Sequence, residues 1–387
     1  MSDDKGAPAA ATPDLAAIRS LHEFEQLSKS RLSAMAYEYL AAGVADEITL
    51  RENRSALDRI RLLPRGLVDV SRIDTSVTLF GRRHGSPLLL APCAYQKLFH
   101  PEGELEAVRG ANGAGVTYVA PCFATVTLEE TAAATTQPLW FQLYVNPDRG
   151  FTRELVQRAE TAGYEALVVT LDVPVNGPRD RELRAGFSLP AGLARANLLS
   201  LGTALASAPH RPGGRDIYSV VRAPDVTLKD IEWLKSVTKM HVIVKGLLHP
   251  DVVELALRRG ADAVYVSNHG GRSMDSVPAA IEILPHIVRR VGGAKPVLFD
   301  GGVRRGSDVF KALALGADTV AVGRPFLHGL AVAGAAGVAR VVEILWAELA
   351  MTMGLAGATS LDAIDASFLW ESAMHSGHRS TGSRWLE

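Results

Sequence analysis

From Ser86 onward, short apolar runs of strand length alternate with amphipathic helical patterns, and this alternation restricts the fold more than any other feature of the chain. Eight such runs are legible: Leu88 to Ala91, Val116 to Ala120, Leu139 to Tyr144, Ala166 to Thr170, His241 to Lys245, Ala263 to Val266, Pro296 to Phe299 and Thr319 to Val322. Most are continuously apolar, as expected of parallel strands covered on both faces by crossover helices. Between them, Pro101-Glu-Gly-Glu opens a helix, residues 149–162 are amphipathic, and the helix begun at Pro250 stops at Gly260. Eight β/α units with no G-x-G-x-x-G after the first predict an α/β fold of the closed (β/α)8 TIM-barrel type over about 86–350, rather than an open doubly wound sheet. An N-terminal helical segment precedes it, with Leu32, Met35, Ala36, Tyr39 and Leu40 on one face between Ser30 and the stop at Gly43. That pattern alone makes Tyr39 a packing residue.

A long insertion, about 191–229, follows the fourth strand. Residues 196–208 read as weakly helical and His210-Arg-Pro-Gly-Gly-Arg as loop; a lid, a partner surface and a tolerated surface insertion all fit such a segment. Residues 1–13, rich in Ala and Pro, are expected to be a disordered tail, leaving 14–387 as one domain.

With 387 residues, 47% hydrophobic content and a formal charge of −1, the chain can bury a large core and carries no field suited to nucleic acid. Cys93 and Cys122 form neither a metal-ligand spacing nor a disulfide framework, which fits a reducing cytoplasm and predicts no metal. The acidic opening Met1-Ser-Asp-Asp is unlike an export signal, and no apolar run reads as long enough to span a bilayer. A cytoplasmic small-molecule enzyme is the resulting expectation.

Barrel enzymes place chemistry at the carboxyl ends of their strands, and polar residues fall there repeatedly. The densest cluster is Ser267-Asn-His-Gly-Gly-Arg-Ser-Met-Asp275, which closes the sixth strand with a base, a cation and a carboxylate. If its turn is helical, His269 and Arg272 share a face. The alternative is an ordinary helix start in which Ser267 and Asn268 cap, His269 packs and Arg272 pairs with Asp275. After strands seven and eight, Asp300-Gly-Gly-Val-Arg304 and Gly323-Arg324 are glycine-rich turns leading into helix N-termini, a common barrel phosphate site. Lys245, ending a buried strand, requires an anionic partner, either a cofactor or a salt bridge within the barrel.

Together these residues resemble the FMN-dependent α-hydroxy-acid oxidase and dehydrogenase family. The resemblance runs from about Leu21 to the C-terminus. It rests on Ser267-Asn-His-Gly-Gly-Arg272, Phe299-Asp-Gly-Gly-Val-Arg-Arg-Gly306, Asp308 to Gly316, Phe141-Gln-Leu-Tyr144, Thr170-Leu-Asp-Val-Pro174 and Val244-Lys-Gly246. It implies FMN as cofactor and oxidation of an L-2-hydroxy acid to the 2-oxo acid, with O2 or another acceptor taking the electrons and hydrogen peroxide formed where the acceptor is O2. His269 is then the base, oriented by Asp172. Arg272 and Arg179 are the substrate-carboxylate anchors, and Tyr39 and Tyr144 bond the substrate, so the resemblance overrides the packing reading of Tyr39. Pro92, Cys93, Ala94, Gln142, Tyr144, Thr170, Lys245, Ser267, Asp300, Gly301, Gly302, Val303, Arg304, Gly323 and Arg324 match flavin-binding positions. A homo-oligomer, a tetramer, is also implied.

The chain departs from the family pattern in places. Pro121 stands where a hydroxyl residue is usual, and Phe123 where glycolate oxidases carry Trp; Asn176 and Pro178 also differ. The smaller Phe123, as a substrate-binding wall, leads us to expect a bulky, mandelate-type substrate, with Tyr95 as the residue that could refill the space. Two other functions compete. One is a membrane-associated lactate or mandelate dehydrogenase delivering electrons to quinone, with 191–229 as its docking surface. The other is a flavin enzyme oxidising a modified peptide.

Overall fold

The computed structural model describes residues 13–205 and 217–370. The expected tail up to residue 12, the loop containing His210 and the last seventeen residues lie outside the described residues.

Three helices open the chain: α1 (Leu21–Arg31), α2 (Ala34–Ala41) and α3 (Ile48–Arg59). The single helix expected over Ser30 to Ala42 is two. Leu32 leaves the helix in extended conformation, and Ser33 restarts it by accepting the Ala36 N–H at 3.2 Å. A hairpin, β1 (Val77–Leu79) and β2 (Arg82–His84), follows. The barrel strands are β3 (Leu88–Leu90), β4 (Thr117–Ala120), β5 (Leu139–Leu143), β6 (Ala166–Thr170), β7 (His241–Lys245), β8 (Ala263–Val266), β9 (Val297–Phe299) and β10 (Thr319–Val322). All pair in parallel, and β10 pairs with β3 to close the ring. All eight expected strands are present, with ends shifted by at most one residue. The helices between and after them are α4 (Glu104–Gly113), α5 (Leu128–Ala133), α6 (Arg149–Thr161), α7 (Asp180–Arg184), α8 (Leu228–Val237), α9 (Pro250–Arg258), α10 (Ala280–Val291), α11 (Gly306–Ala314) and α12 (Arg324–Ala356). The chain is thus a (β/α)8 TIM barrel with an N-terminal helical segment, as its alternation predicts.

Successive strand residues point to opposite faces, so each strand feeds two cores. Leu88 and Leu90, Val242 and Val244, and Val264 and Val266 pack outward against the helices. Leu89, Val119, Trp140, Val168, Ile243, Tyr265, Leu298 and Ala321 fill the barrel interior. The hairpin closes the interior at the amino end. Leu79 joins the interior core, and Phe80 stacks on His241 at 4.1 Å and meets Trp140 at 5.9 Å. Two residues further along each strand, the inward direction is taken by Ala91, Pro121, Gln142, Thr170, Lys245, Ser267, Asp300 and Gly323 in turn. Packed apolar filling gives way to mostly polar side chains at the carboxyl end.

One expectation is corrected here. Among the described residues α12 is long and apolar enough, by length and composition, to cross a membrane. It is not one straight rod: Ala333 and Gly334 leave helical geometry (φ −154° and +56°), and Val338, Val341, Leu345, Leu349 and Met353 are buried within the protein. Its apolar face serves the barrel, packing against α1, α4 and α11.

Candidate active site

A cavity of about 970 Å³ opens at the carboxyl end of the barrel. Lys245 and His269 line it, with tyrosines 39 and 144, arginines 179, 272, 304 and 324, and the Pro92 to Ala94 segment.

His269 comes out of β8 on a left-handed turn: φ is +58° at His269, +62° at Gly270 and +73° at Gly271. A Cβ on Gly271 would come within 2.7 Å of the Leu50 backbone, so glycine there lets the turn press against α3. This corrects both readings that treated the segment as a right-handed helical turn. Arg272 does not pair with Asp275. Asp275 instead accepts the backbone N–H groups of Ile48 and Thr49 at the start of α3, and Asn268 bonds Asn53 at 2.8 Å. The cluster therefore docks the N-terminal segment while presenting His269 to the cavity.

His269 Nδ1 lies 3.0 Å from Asp172 Oδ1. Burial, aided by Lys245 and Arg179, draws the imidazole below its usual value, against the pull of Asp172. Burial also works against ionising Asp172, but the His269 interaction and Lys245 hold its carboxyl below the usual range. The resting pair is a carboxylate and a neutral imidazole, whose Nδ1–H donates to Asp172 and leaves Nε2 able to accept a proton. Gly246 (φ +93°) permits this packing, since a Cβ there would fall 2.5 Å from Asp172 Cγ.

Arg272, ending the same turn, donates to the carbonyls of Tyr39 and Ala42 and to Glu182 Oε1 at 2.7 Å. Arg179 reaches the same Glu182 carboxylate at 3.5 Å. Sequence reasoning missed Glu182: it lies on α7, ninety positions before Arg272, and nothing local marks it as their shared partner. Tyr39 stacks on Phe187 at 4.6 Å and lies beneath Arg272, whose guanidinium carbon is 5.0 Å from the ring centroid. Burial raises the pKa of both Tyr39 and Tyr144, so both hydroxyls stay protonated donors.

Ser267 is fully buried and does not line the cavity. It acts behind it, accepting from Lys245 Nζ at 2.8 Å and from the His269 N–H at 3.0 Å while donating to Asp300 Oδ1 at 2.6 Å. Lys245 Nζ lies 3.6 Å from Asp300, so the barrel salt bridge exists and yet leaves the ammonium at the cavity wall. Gln142 and Thr170 also face the cavity. Gln142 Oε1 accepts the Cys122 N–H, but Gln142 Nε2 and Thr170 Oγ1 are buried without a protein partner. Buried polar groups are rarely left unpaired, and a flat heterocycle with a polar edge would satisfy these two. Cys93 lines the cavity as a thiol that burial pushes up to about 12, which fits a small packing residue.

The expected phosphate turn needs one correction. The N–H groups of Arg304 and Arg305 are taken by Asp308 Oδ2, and that of Gly306 by Glu348. The start of α11 is therefore self-capped. What remains at the cavity is the Gly301 to Arg304 turn, the opening of α12 at Gly323 and Arg324, and the two guanidiniums. Arg324 donates to three backbone carbonyls and has no carboxylate partner among the described residues; burial pulls it down to about 9. Arg304 is lowered in the same way; it donates to the Val303 carbonyl, and its one ion-pair partner among the described residues is Glu25, at 4.0 Å. Desolvated cations of this kind fit a phosphate.

Pro121, Phe123, Asn176 and Pro178, where the chain departs from the family pattern, all line the cavity. Tyr95 stands beside Phe123, ring centroids 6.3 Å apart, and takes up part of the space a smaller aromatic leaves. Arg195 and Arg222, which the sequence did not single out, line the cavity from the segment after α7.

The family model described as FMN-dependent dehydrogenase matches residues 28–371. An L-lactate oxidase of Nostoc sp. is 46% identical over 357 residues, covering 90% of this chain and 97% of the relative. A 2-hydroxyacid oxidase of Dictyostelium discoideum is 42% identical over 354 residues, covering 91% and 90%. The crystal structure of a mandelate oxidase with benzoyl-formic acid superposes with a TM-score of 0.82 at 40% identity, covering 91% of this chain and 98% of the other. With a match over nearly its whole length, and the cavity just described at the carboxyl end of its barrel, the chain belongs to the FMN-dependent dehydrogenase family.

Proposed function

We propose that the protein oxidises an L-2-hydroxy acid with a side chain larger than that of glycolate, using His269 as base and Arg272 and Arg179 as carboxylate anchors. Its family and relatives make it an FMN-dependent 2-hydroxy-acid oxidase; the residue roles and the substrate's side chain are our reading. The observation that carries it is the convergence on one cavity of the His269–Asp172 pair, the two arginines sharing Glu182, and the unpaired Gln142 and Thr170 groups.

Arg272 and Arg179 grip the substrate carboxylate, which fixes the carbinol carbon and removes much of the positioning cost of the reaction. Tyr39 and Tyr144 donate to the substrate's oxygens. His269 accepts one substrate proton at Nε2, and Asp172, at 3.0 Å, stabilises the imidazolium that forms. Bound FMN would supply the two-electron acceptor, and we assign its reoxidation to O2, giving hydrogen peroxide. Gln142 and Thr170 would hold the ring's polar edge, Arg304 and Arg324 its phosphate, and Lys245 would stabilise negative charge arriving on the ring. Ser267 positions Lys245. Leu67, Met351, Leu355 and Trp370 are large apolar side chains left exposed, Met351 and Leu355 one turn apart on α12, which supports a homo-oligomer, in our reading a tetramer.

The purified protein is expected to be yellow, with one non-covalent FMN per chain, and its flavin to bleach on anaerobic mixing with L-2-hydroxy acids. A colourless protein that FMN cannot reconstitute would overturn the proposal. Within the substrate panel, kcat/KM for L-mandelate should exceed that for glycolate. Phe123 and Tyr144, 5.0 Å apart, give a ring a wall to pack on, and each well-fitted apolar group contributes about 1–3 kcal/mol of discrimination. Steady-state kinetics decides it; a higher value for glycolate would show that Tyr95 and Arg195 have closed the space.

A further inference from the structure

Two arginines at the cavity have no carboxylate facing them among the described residues. Arg222 is only 8% exposed, yet among the described residues its Nε has no hydrogen-bond partner, and its one polar side-chain contact is to Asn176 Oδ1. Its guanidinium carbon lies 5.5 Å from the centroid of the Tyr144 ring. Arg195 donates to Tyr95 Oη at 2.8 Å and lies 4.9 Å from the Phe123 centroid. The other cavity arginines are accounted for: 272 and 179 share Glu182, and 304 and 324 belong to the phosphate end. A desolvated guanidinium cannot relieve its burial by losing a proton, so an unpaired one favours whatever anion can reach it. Burial, with repulsion from Arg179 and Arg195, already lowers Arg222's pKa, against the pull of Tyr144. Tyr144 feels Asp172, Arg222 and Arg179 together, which places Arg222 within electrostatic reach of the reacting centre.

A single substrate carboxylate occupies one pair of anchors. We propose that the substrate is a dianion, a 2-hydroxy acid whose side chain ends in a second carboxylate received by Arg222 and Arg195. The carbons between the two carboxylates lie along Phe123 and Tyr144, the aromatic wall that links the anchor pairs. This inference rests on the 2-hydroxy-acid reading above and names the substrate class of that same site. A site holding buried, unpaired polar groups rejects an analogue that cannot pair them far more strongly than an apolar pocket rejects a missing methylene.

The test compares L-2-hydroxyglutarate with L-2-hydroxy-5-methylhexanoate, in which an isopropyl group replaces the distal carboxylate, on the holoenzyme. The expected kcat/KM ratio favours the dianion by on the order of 100-fold. Arg222→Gln and Arg195→Gln should each cut that ratio by about tenfold or more, mainly through KM, with Arg222→Lys restoring part of it. Titration of the oxidised holoenzyme with 2-oxoglutarate, followed by the flavin absorption shift, should show the same loss of affinity without turnover. Equal kcat/KM for the two substrates in the unaltered protein would overturn the proposal. So would an Arg222→Gln variant that lowers both by the same factor, since Arg222 would then grip the carboxylate beside the carbinol. If neither compound nor any other 2-hydroxy acid bleaches the flavin, it is the underlying reading that fails.

Discussion

Replacing His269 with alanine is expected to leave FMN bound and slow flavin reduction by substrate roughly 10²–10⁴-fold. FMN should remain because the flavin-side groups hang on backbone and Ser267 contacts that the substitution keeps; the His269 N–H to Ser267 Oγ bond involves no side-chain atom of residue 269. Reduction should collapse because, among the described residues, no other side chain at the cavity combines a free proton-accepting nitrogen with a buried carboxylate behind it. Residue 269 has φ +58°, so His269→Asn, which tolerates that conformation better than alanine, separates the loss of the base from strain in the turn. Anaerobic stopped-flow on both variants measures it, and reduction within tenfold of the parent would remove His269 from the chemistry. The pH profile carries the same information. Burial draws the imidazole's pKa below 6.5, and in the proposed role of base the neutral form would be the active one. The base contribution to kcat/KM should therefore be complete above pH 6.5 and fall only as pH drops through that lowered value. A limb centred above 6.5 would contradict it.

Arg272→Met should damage the protein in two ways at once. Arg272 and Glu182 form a pair with side chains 13% and 6% exposed, and Arg179 at 3.5 Å is the other cation at that carboxylate. Removing one partner of a buried pair costs about 3–5 kcal/mol; Arg179 should offset part of this, and the lost bonds to the Tyr39 and Ala42 carbonyls should add to it. Thermal denaturation should show a clear fall in Tm. In the surviving folded enzyme kcat/KM should fall with both kcat and KM affected, because one loosened carboxylate anchor degrades the reacting geometry as well as binding. The double variant Arg272→Met/Glu182→Gln should recover stability without recovering activity. If it recovers both, Arg272 is a structural tie and not an anchor.

The barrel was legible because its strands are buried on both faces and so write uninterrupted apolar runs, and the carboxyl-end residues were legible because they are the first polar positions after those runs. The hairpin at β1 and β2 was not. Its strands are three residues long, and Arg82 and Arg83 give them no apolar signature. Glu182 and Arg222 were missed because their significance lies in partners far along the chain, Arg272 and Asn176, inside a segment with no periodicity to align them. The helical reading of the His269 turn failed for another reason. Three successive left-handed residues, one of them not glycine, are held by the tertiary contact with α3 and not by local preference. The self-capping of α11 by Asp308 and Glu348 likewise hid from a motif reading, since a glycine-rich turn looks the same whether its N–H groups are free or engaged.

The Leu79–Phe80 hairpin makes the barrel a blind tube, and this governs traffic. With the amino end packed shut, substrate, product and any bulky electron acceptor would all use the carboxyl-end opening that the described residues form. On the proposed function, a 2-oxo acid still held by Arg272 and Arg179 would keep a quinone or dye out of the cavity, whereas O2 is small enough to enter beside it. Turnover with large acceptors should accordingly queue behind product departure, and accumulated 2-oxo acid should slow those acceptors more than it slows oxygen.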